Sequence, residues 1–135
     1  MKLSRHPEAL AVVRLSPGAD VPPWAVSASI FSVTATARET SVVCAADSVP
    51  TKVRHQKSFA AFEVEGPLDF ALTGVLSDLL GPLAEAGISV FTLSTFDTDW
   101  ILVPADEADR AAEEWRRREH DVVPAVPAAP TRSKT

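Results

Sequence analysis

Hydrophobic and polar positions divide this chain into a β-rich first half and a second half in which strand and helix periods alternate. In the second half, Ala60, Phe62 and Val64 fall on one face of a strand, with Ala61, Glu63 and Glu65 on the other. Gly66-Pro67 stops that strand. Leu72, Val75, Leu76, Leu79, Leu80 and Leu83 then recur at the spacing of one helix face. Pro82 predicts a kink there, because it removes a hydrogen bond and crowds the carbonyl of Asp78. Gly87 is placed to end the helix as its C′ residue. Ile88–Thr95 and Asp99–Val103 predict a hairpin, Ala105–Glu119 a second amphipathic helix, and His120–Val123 a last short strand.

The first half reads less cleanly. Residues 1–7 look like a loose lead-in, and Ala9–Leu15 predicts a strand ended by Ser16-Pro17-Gly18. Pro22-Pro23 permits at most one short helical turn. Ile30–Ala37, rich in β-branched residues, predicts a strand. Arg38-Glu39 makes the turn, and Thr40–Ala46 returns. Asp47–Val53 holds Pro50 and reads as a loop or single turn. No clear sequence repeat is visible, yet both halves fit a β-(α)-β-β-(α) plan. The expected fold class is therefore α+β, with ferredoxin-like (βαββαβ) units in tandem and helices on one face of an antiparallel sheet. Residues 8–58 form a first unit with stunted helices, 59–123 a second unit, and 124–135 a disordered tail punctuated by Pro124, Pro127 and Pro130.

Charge and composition narrow the function classes. The chain has 135 residues, 46% of them hydrophobic and 23% charged, and a net charge of −5. That balance is globular and argues against nucleic acid or an anionic membrane, which call for a basic face. Arg116–Arg118 is the only basic run, and it reads as a solvated helix terminus with Asp106–Arg110, Glu113–Arg117 and Glu114–Arg118 as flanking i, i+4 pairs. The single cysteine, Cys44, sits in an apolar run and reads as a buried small hydrophobe. No stretch approaches the roughly 20 apolar residues of a membrane span, so a cytoplasmic protein is expected.

Chemistry-bearing motifs are few. His6, His55 and His120 are scattered, and read as solvated loop residues rather than zinc ligands. Nucleotide-binding and hydrolase signatures are absent, so neither catalytic residues nor a cofactor is expected. Asp97 and Asp99 stand in one hairpin. Turn capping accounts for Asp97, whereas Asp99 leads into the apolar strand WILV, where a carboxylate is well placed to hold an ammonium or guanidinium. Thr73-Gly74 reads as helix entry. A glycine early in a helix gives up about 1 kcal/mol against alanine, and close approach of backbone to a ligand carboxylate or to a neighbouring strand would account for it.

The run EGPLDFALTGVLSDLLGPLAEAGISVFTLSTFDTDWILV resembles the second unit of small bacterial tandem ACT-domain proteins, and PPWA, FSVTAT and ETSVVC resemble their first unit. The resemblance covers Leu10 to Glu119. Related ACT pairs form the regulatory tails of aspartate kinase and the eukaryotic cytosolic arginine sensors. It implies a regulatory, non-catalytic module that binds a small amino acid at an interface between units. Residues Leu72, Thr73, Gly74 and Val75 would hold the α-carboxylate through main-chain N–H groups. Thr95, Phe96 and Asp99 would meet the amino group or side chain. Trp100 stands where a smaller aromatic is usual in the family. Such a site needs a second surface, so the expected partners are a small amino acid and a second copy of the chain in a homodimer. The alternative is a structural or protein-interaction module whose ligand site is vestigial.

Overall fold

The computed structural model describes residues 1–66 and 74–125. Seven strands and two α-helices run in the order β1 (Lys2–Leu15), β2 (Ser32–Ala35), β3 (Thr40–Ala45), β4 (His55–Val64), α1 (Val75–Glu85), β5 (Phe91–Ser94), β6 (Asp99–Pro104), α2 (Ala108–Arg117) and β7 (Asp121–Pro124). All seven strands form one sheet, ordered β2-β3-β1-β4-β6-β5, with β7 also paired to β1. The pairings are antiparallel except β1 with β7. This is the expected α+β, ferredoxin-like class.

The first seven residues are not a lead-in. They are the first half of β1, where Lys2–Arg5 pair with β7 on one side and Leu3–His6 pair with β4 on the other. Only Leu3 is a buried large apolar residue in that stretch, and Pro7 reads locally as a breaker, so pairing partners far along the chain decide its conformation. The ladder absorbs Pro7 at an irregularity, with register shifts between His6 and Leu10 and again between Leu10 and Ala11. Leu3 packs beneath the helices, Leu10 lies in a cluster on the opposite face, and Ala11 and Val13 enter a third cluster with Val42 and Cys44. Burial pushes the Cys44 thiol up, consistent with an inert core residue.

The helical core is built as the apolar periods predict. Leu79 and Leu83 of α1 and Ala111, Ala112 and Trp115 of α2 pack on Phe62, Val64, Ile101 and Val103 of the sheet. Trp115 meets Phe62 edge to face at 4.9 Å, and its indole N–H donates to the Leu79 carbonyl at 2.7 Å, so one side chain joins both helices to the sheet. α1 runs through Pro82 as one helix. It ends on Gly87 at φ 75°, with Ile88 N–H on Leu83 O at 2.9 Å and Gly87 N–H on Ala84 O at 3.1 Å, the paired bonds of a Schellman cap. The expected i, i+4 ion pairs of α2 are replaced by Arg110–Glu107, Arg117–Glu114 and a bridge from Arg118 to Glu85 on α1. The helix starts later than its acidic lead suggests, after a 3-10 turn over Ala105–Glu107, and this re-aims its first charges.

Two hairpins repeat one another. In β2–β3 the turn closes with Thr36 N–H on Glu39 O at 2.9 Å, and in β5–β6 with Thr95 N–H on Thr98 O at 2.8 Å. Each threonine Oγ1 accepts from the N–H three residues on, at 3.2 Å and 3.3 Å. Each returning strand then runs into a 3-10 turn that begins Ala-Asp. This repeat is carried by hydrogen bonding and length rather than by side-chain identity.

In place of a first-half helix, the segment between β1 and β2 is stapled by Glu8. Its carboxylate accepts from the Ser27 hydroxyl at 2.7 Å, Ala28 N–H at 2.9 Å, Ser29 N–H at 3.0 Å and the Ser29 hydroxyl at 2.6 Å. Burial alone would push this carboxyl up, but those hydrogen bonds outweigh it and hold it below the usual range. The linked stability is present above the unfolded carboxyl's ordinary value near pH ~4.3 and is lost as pH falls through the lowered folded value. Glu8→Gln should cost about 1–3 kcal/mol at pH 7, with the gap from wild type closing in acid, as read by urea unfolding at several pH values.

Because β1 lies between β4 and β7, residues 59–135 expressed alone lack the strand on which β7 pairs. That fragment is expected to aggregate or melt without cooperativity in calorimetry. A cooperative, monomeric transition would show that the second half completes its own sheet.

Candidate functional site

The expected ligand site joins the entry of α1 to the tip of the β5–β6 hairpin. Leu72 and Thr73 lie outside the described residues. Gly74 is the N-cap of α1 at φ 79°, ψ 0°, and its carbonyl accepts from Asp78 N–H at 2.9 Å. A left-handed backbone accounts for glycine here without any close approach, and a Cβ added at this position would meet nothing within 4 Å. Val75 opens the first turn of the helix.

At the hairpin, the turn is closed by Thr95 rather than by Asp97, which is exposed. Threonine at the first turn position supplies both a short-range acceptor and a donor, and it takes the role the sequence suggested for aspartate. Thr98 is 6% exposed and donates its hydroxyl to the Val64 carbonyl at 2.6 Å. Glu65, the residue after β4, donates its N–H to Lys2 O at 2.8 Å. The hairpin tip is thus fastened to the end of β4, from which the chain leaves through Gly66 toward α1. Thr98 was missed at the sequence level. Its signal is the matching T-x-x-[E/T] turns at Thr36 and Thr95.

Asp99 opens β6 half-buried, and the Ser94 hydroxyl donates to its Oδ1 at 2.6 Å across the register pair. Its second oxygen has no hydrogen-bond partner among the described residues. Phe96 is 81% exposed at the tip. Trp100 turns to the sheet face away from the helices. There it stacks with His6 at 4.7 Å, while His6 Nε2 meets Glu63 Oε1 at 3.0 Å. His6 is therefore a strand residue in a ring stack, not a solvated loop histidine, and His55 begins β4. Among the described residues, no His, Cys, Asp and Glu side chains are grouped to hold a metal ion, and no helix is long and apolar enough to cross a membrane.

An ACT-domain family model matches residues 54–113, end to end with an N-terminal-domain model over residues 8–52. Residues 54–113 belong to the ACT-domain family. The structure of the protein Atu0741 from Agobacterium tumefaciens superposes with a TM-score of 0.85 at 30% identity, covering 95% of this chain and 96% of that one. The regulatory subunit of aspartate kinase from Thermus flavus superposes with a TM-score of 0.61 over 87% of this chain and 96% of that one. At 9% identity that likeness is one of fold. The human protein named cytosolic arginine sensor for mTORC1 subunit 1 is 42% identical over 53 residues, which is 39% of this chain but 16% of the sensor. ACT domains are regulatory, and none of these matches indicates a catalytic family.

The anchoring of the hairpin has a measurable consequence. Thr98→Val keeps the side-chain volume but leaves the Val64 carbonyl without its buried donor. It should cost about 1–3 kcal/mol in urea unfolding, whereas Asp97→Asn, at the exposed tip, should leave the midpoint unchanged.

Proposed function

We propose that this chain is a non-catalytic regulatory module that binds a small amino acid at an interface between ACT units. The α-carboxylate is held by N–H groups of the Leu72–Val75 segment and the first turn of α1, whose positive dipole end favours an anion. The ammonium or a cationic side chain is held by Asp99, and Thr95 and Phe96 border the site. The observation that carries this reading is Asp99 itself. It is half-buried at a strand mouth, oriented by Ser94 through one oxygen, and no basic side chain among the described residues neutralises it. Such a site needs a second surface, which favours a homodimer pairing two copies of this face.

The ligand screen begins with arginine, for which one relative is named, and extends to the other standard amino acids by thermal shift. A ligand bound only by the folded state at 100 times its dissociation constant adds about 2.7 kcal/mol of stability. With the ligand found, Asp99→Asn should retain the melting curve of the free protein and lose about ten- to a hundredfold in affinity by calorimetry. Unchanged affinity removes Asp99 from the site. A flat response to every amino acid favours a protein-interaction module instead. Gly74→Leu is a poor probe, since φ 79° strains any side chain there whether or not a ligand binds.

A further inference from the structure

The face of the sheet opposite the helices buries a second apolar cluster without any helix to cover it. Leu10, Ala61 and Leu102 reach 0% exposure there in a curled sheet, packed with Ile30 from the segment before β2 and with Phe91 and Leu93 of edge strand β5. At one mouth of this curl lies a cavity of about 360 Å³, within the size range of small-molecule sites. Its floor is apolar, formed by Val12, Phe59 and Phe91, which extend the buried cluster outward.

Its rim is charged. Arg14 and Arg54 come from adjacent strand ends joined by Arg14 N–H on Arg54 O at 3.0 Å, so two guanidiniums border one opening. Arg14 donates to the Arg38 carbonyl at 3.0 Å. The Arg54 guanidinium has no hydrogen-bond or ion-pair partner among the described residues. Glu39 also borders the mouth and contributes the single opposing carboxylate. Two cations against one anion, above an apolar floor, match a ligand with an anionic head and an apolar body.

We infer that the mouth of the curled sheet is a second ligand site, separate from the hairpin and α1, that takes a small amphipathic carboxylate. The head lies between Arg14 and Arg54, where the planar guanidinium matches the carboxylate fork. The hydrocarbon body lies on Val12, Phe59 and Phe91.

Hexanoate, hexylammonium and acetate are the probes, titrated into the full chain while amide chemical shifts are followed. Hexanoate should produce saturable shifts at residues 12–14, 54–56, 59 and 91. Acetate, which lacks the apolar body, should bind at least about tenfold more weakly, and hexylammonium should leave these amides unmoved. Arg54→Gln, an exposed change expected to leave the melting curve intact, should weaken hexanoate by about tenfold. Asp99→Asn should leave hexanoate affinity unchanged, which separates this site from the amino-acid site whether or not that one exists. Equal response to hexylammonium, shifts confined to residues 95–99, or unchanged affinity in Arg54→Gln would each overturn the assignment.

Discussion

The backbone ladder of β1 is the constraint on which the rest of the molecule depends. One strand, Lys2–Leu15, pairs with β4 along both of its halves, with β3 beside its second half and with β7 beside its first. Every other element is placed relative to it. His6, Leu10 and Val12 face the cluster opposite the helices, and the alternate positions serve a different cluster in each half of the strand. Leu3 packs under the helices while Ala11 and Val13 pack with Val42 and Cys44.

Sharing one strand sets the position of both hairpins. β2–β3 and β5–β6 occupy opposite ends of the sheet and close with the same threonine turn, yet their surroundings differ. The β5–β6 tip is fastened through Thr98 to the end of β4 and carries Asp99. The β2–β3 tip carries Glu39 at the mouth of the curl, and Thr40 stands at the place of Asp99 in the repeat. The two halves thus keep one geometry but present different chemistry. Glu8, gathered by Ser27, Ala28 and Ser29, does for the first half what Trp115 does for the second: it holds the layer that covers the sheet.

What was legible in the sequence followed local periodicity. The apolar stripe of α1, the Gly87 cap, the β5–β6 hairpin and the last strand all declare themselves within a few residues. What was not legible depends on partners distant in sequence. The first residues of β1 look polar and broken, and only pairing with β4 and β7 makes them a strand. His6 looks solvated until Trp100 is brought against its ring. Of the proposed site, Gly74 and Asp99 could be singled out from the residues and Val75, Thr95 and Phe96 from the resemblance to ACT pairs, but Thr98 could not, because its hydroxyl acts on a carbonyl far back in the chain. Glycine at position 74 was legible as special, though its reason is a left-handed backbone rather than an approaching ligand. Pro124 was grouped with the tail, but β7 carries it and Ala125 donates its N–H to Arg5 O at 2.8 Å.

The central claim is that an amino acid bridges the start of α1 and the tip of the β5–β6 hairpin. Hydrogen–deuterium exchange of the full chain, with and without the amino acid that raises its melting temperature most, tests this directly. Amides at residues 74–78 and 95–99 should exchange more slowly together when the ligand is bound. Protection confined to other parts of the sheet, or to one of these two segments alone, would contradict the account.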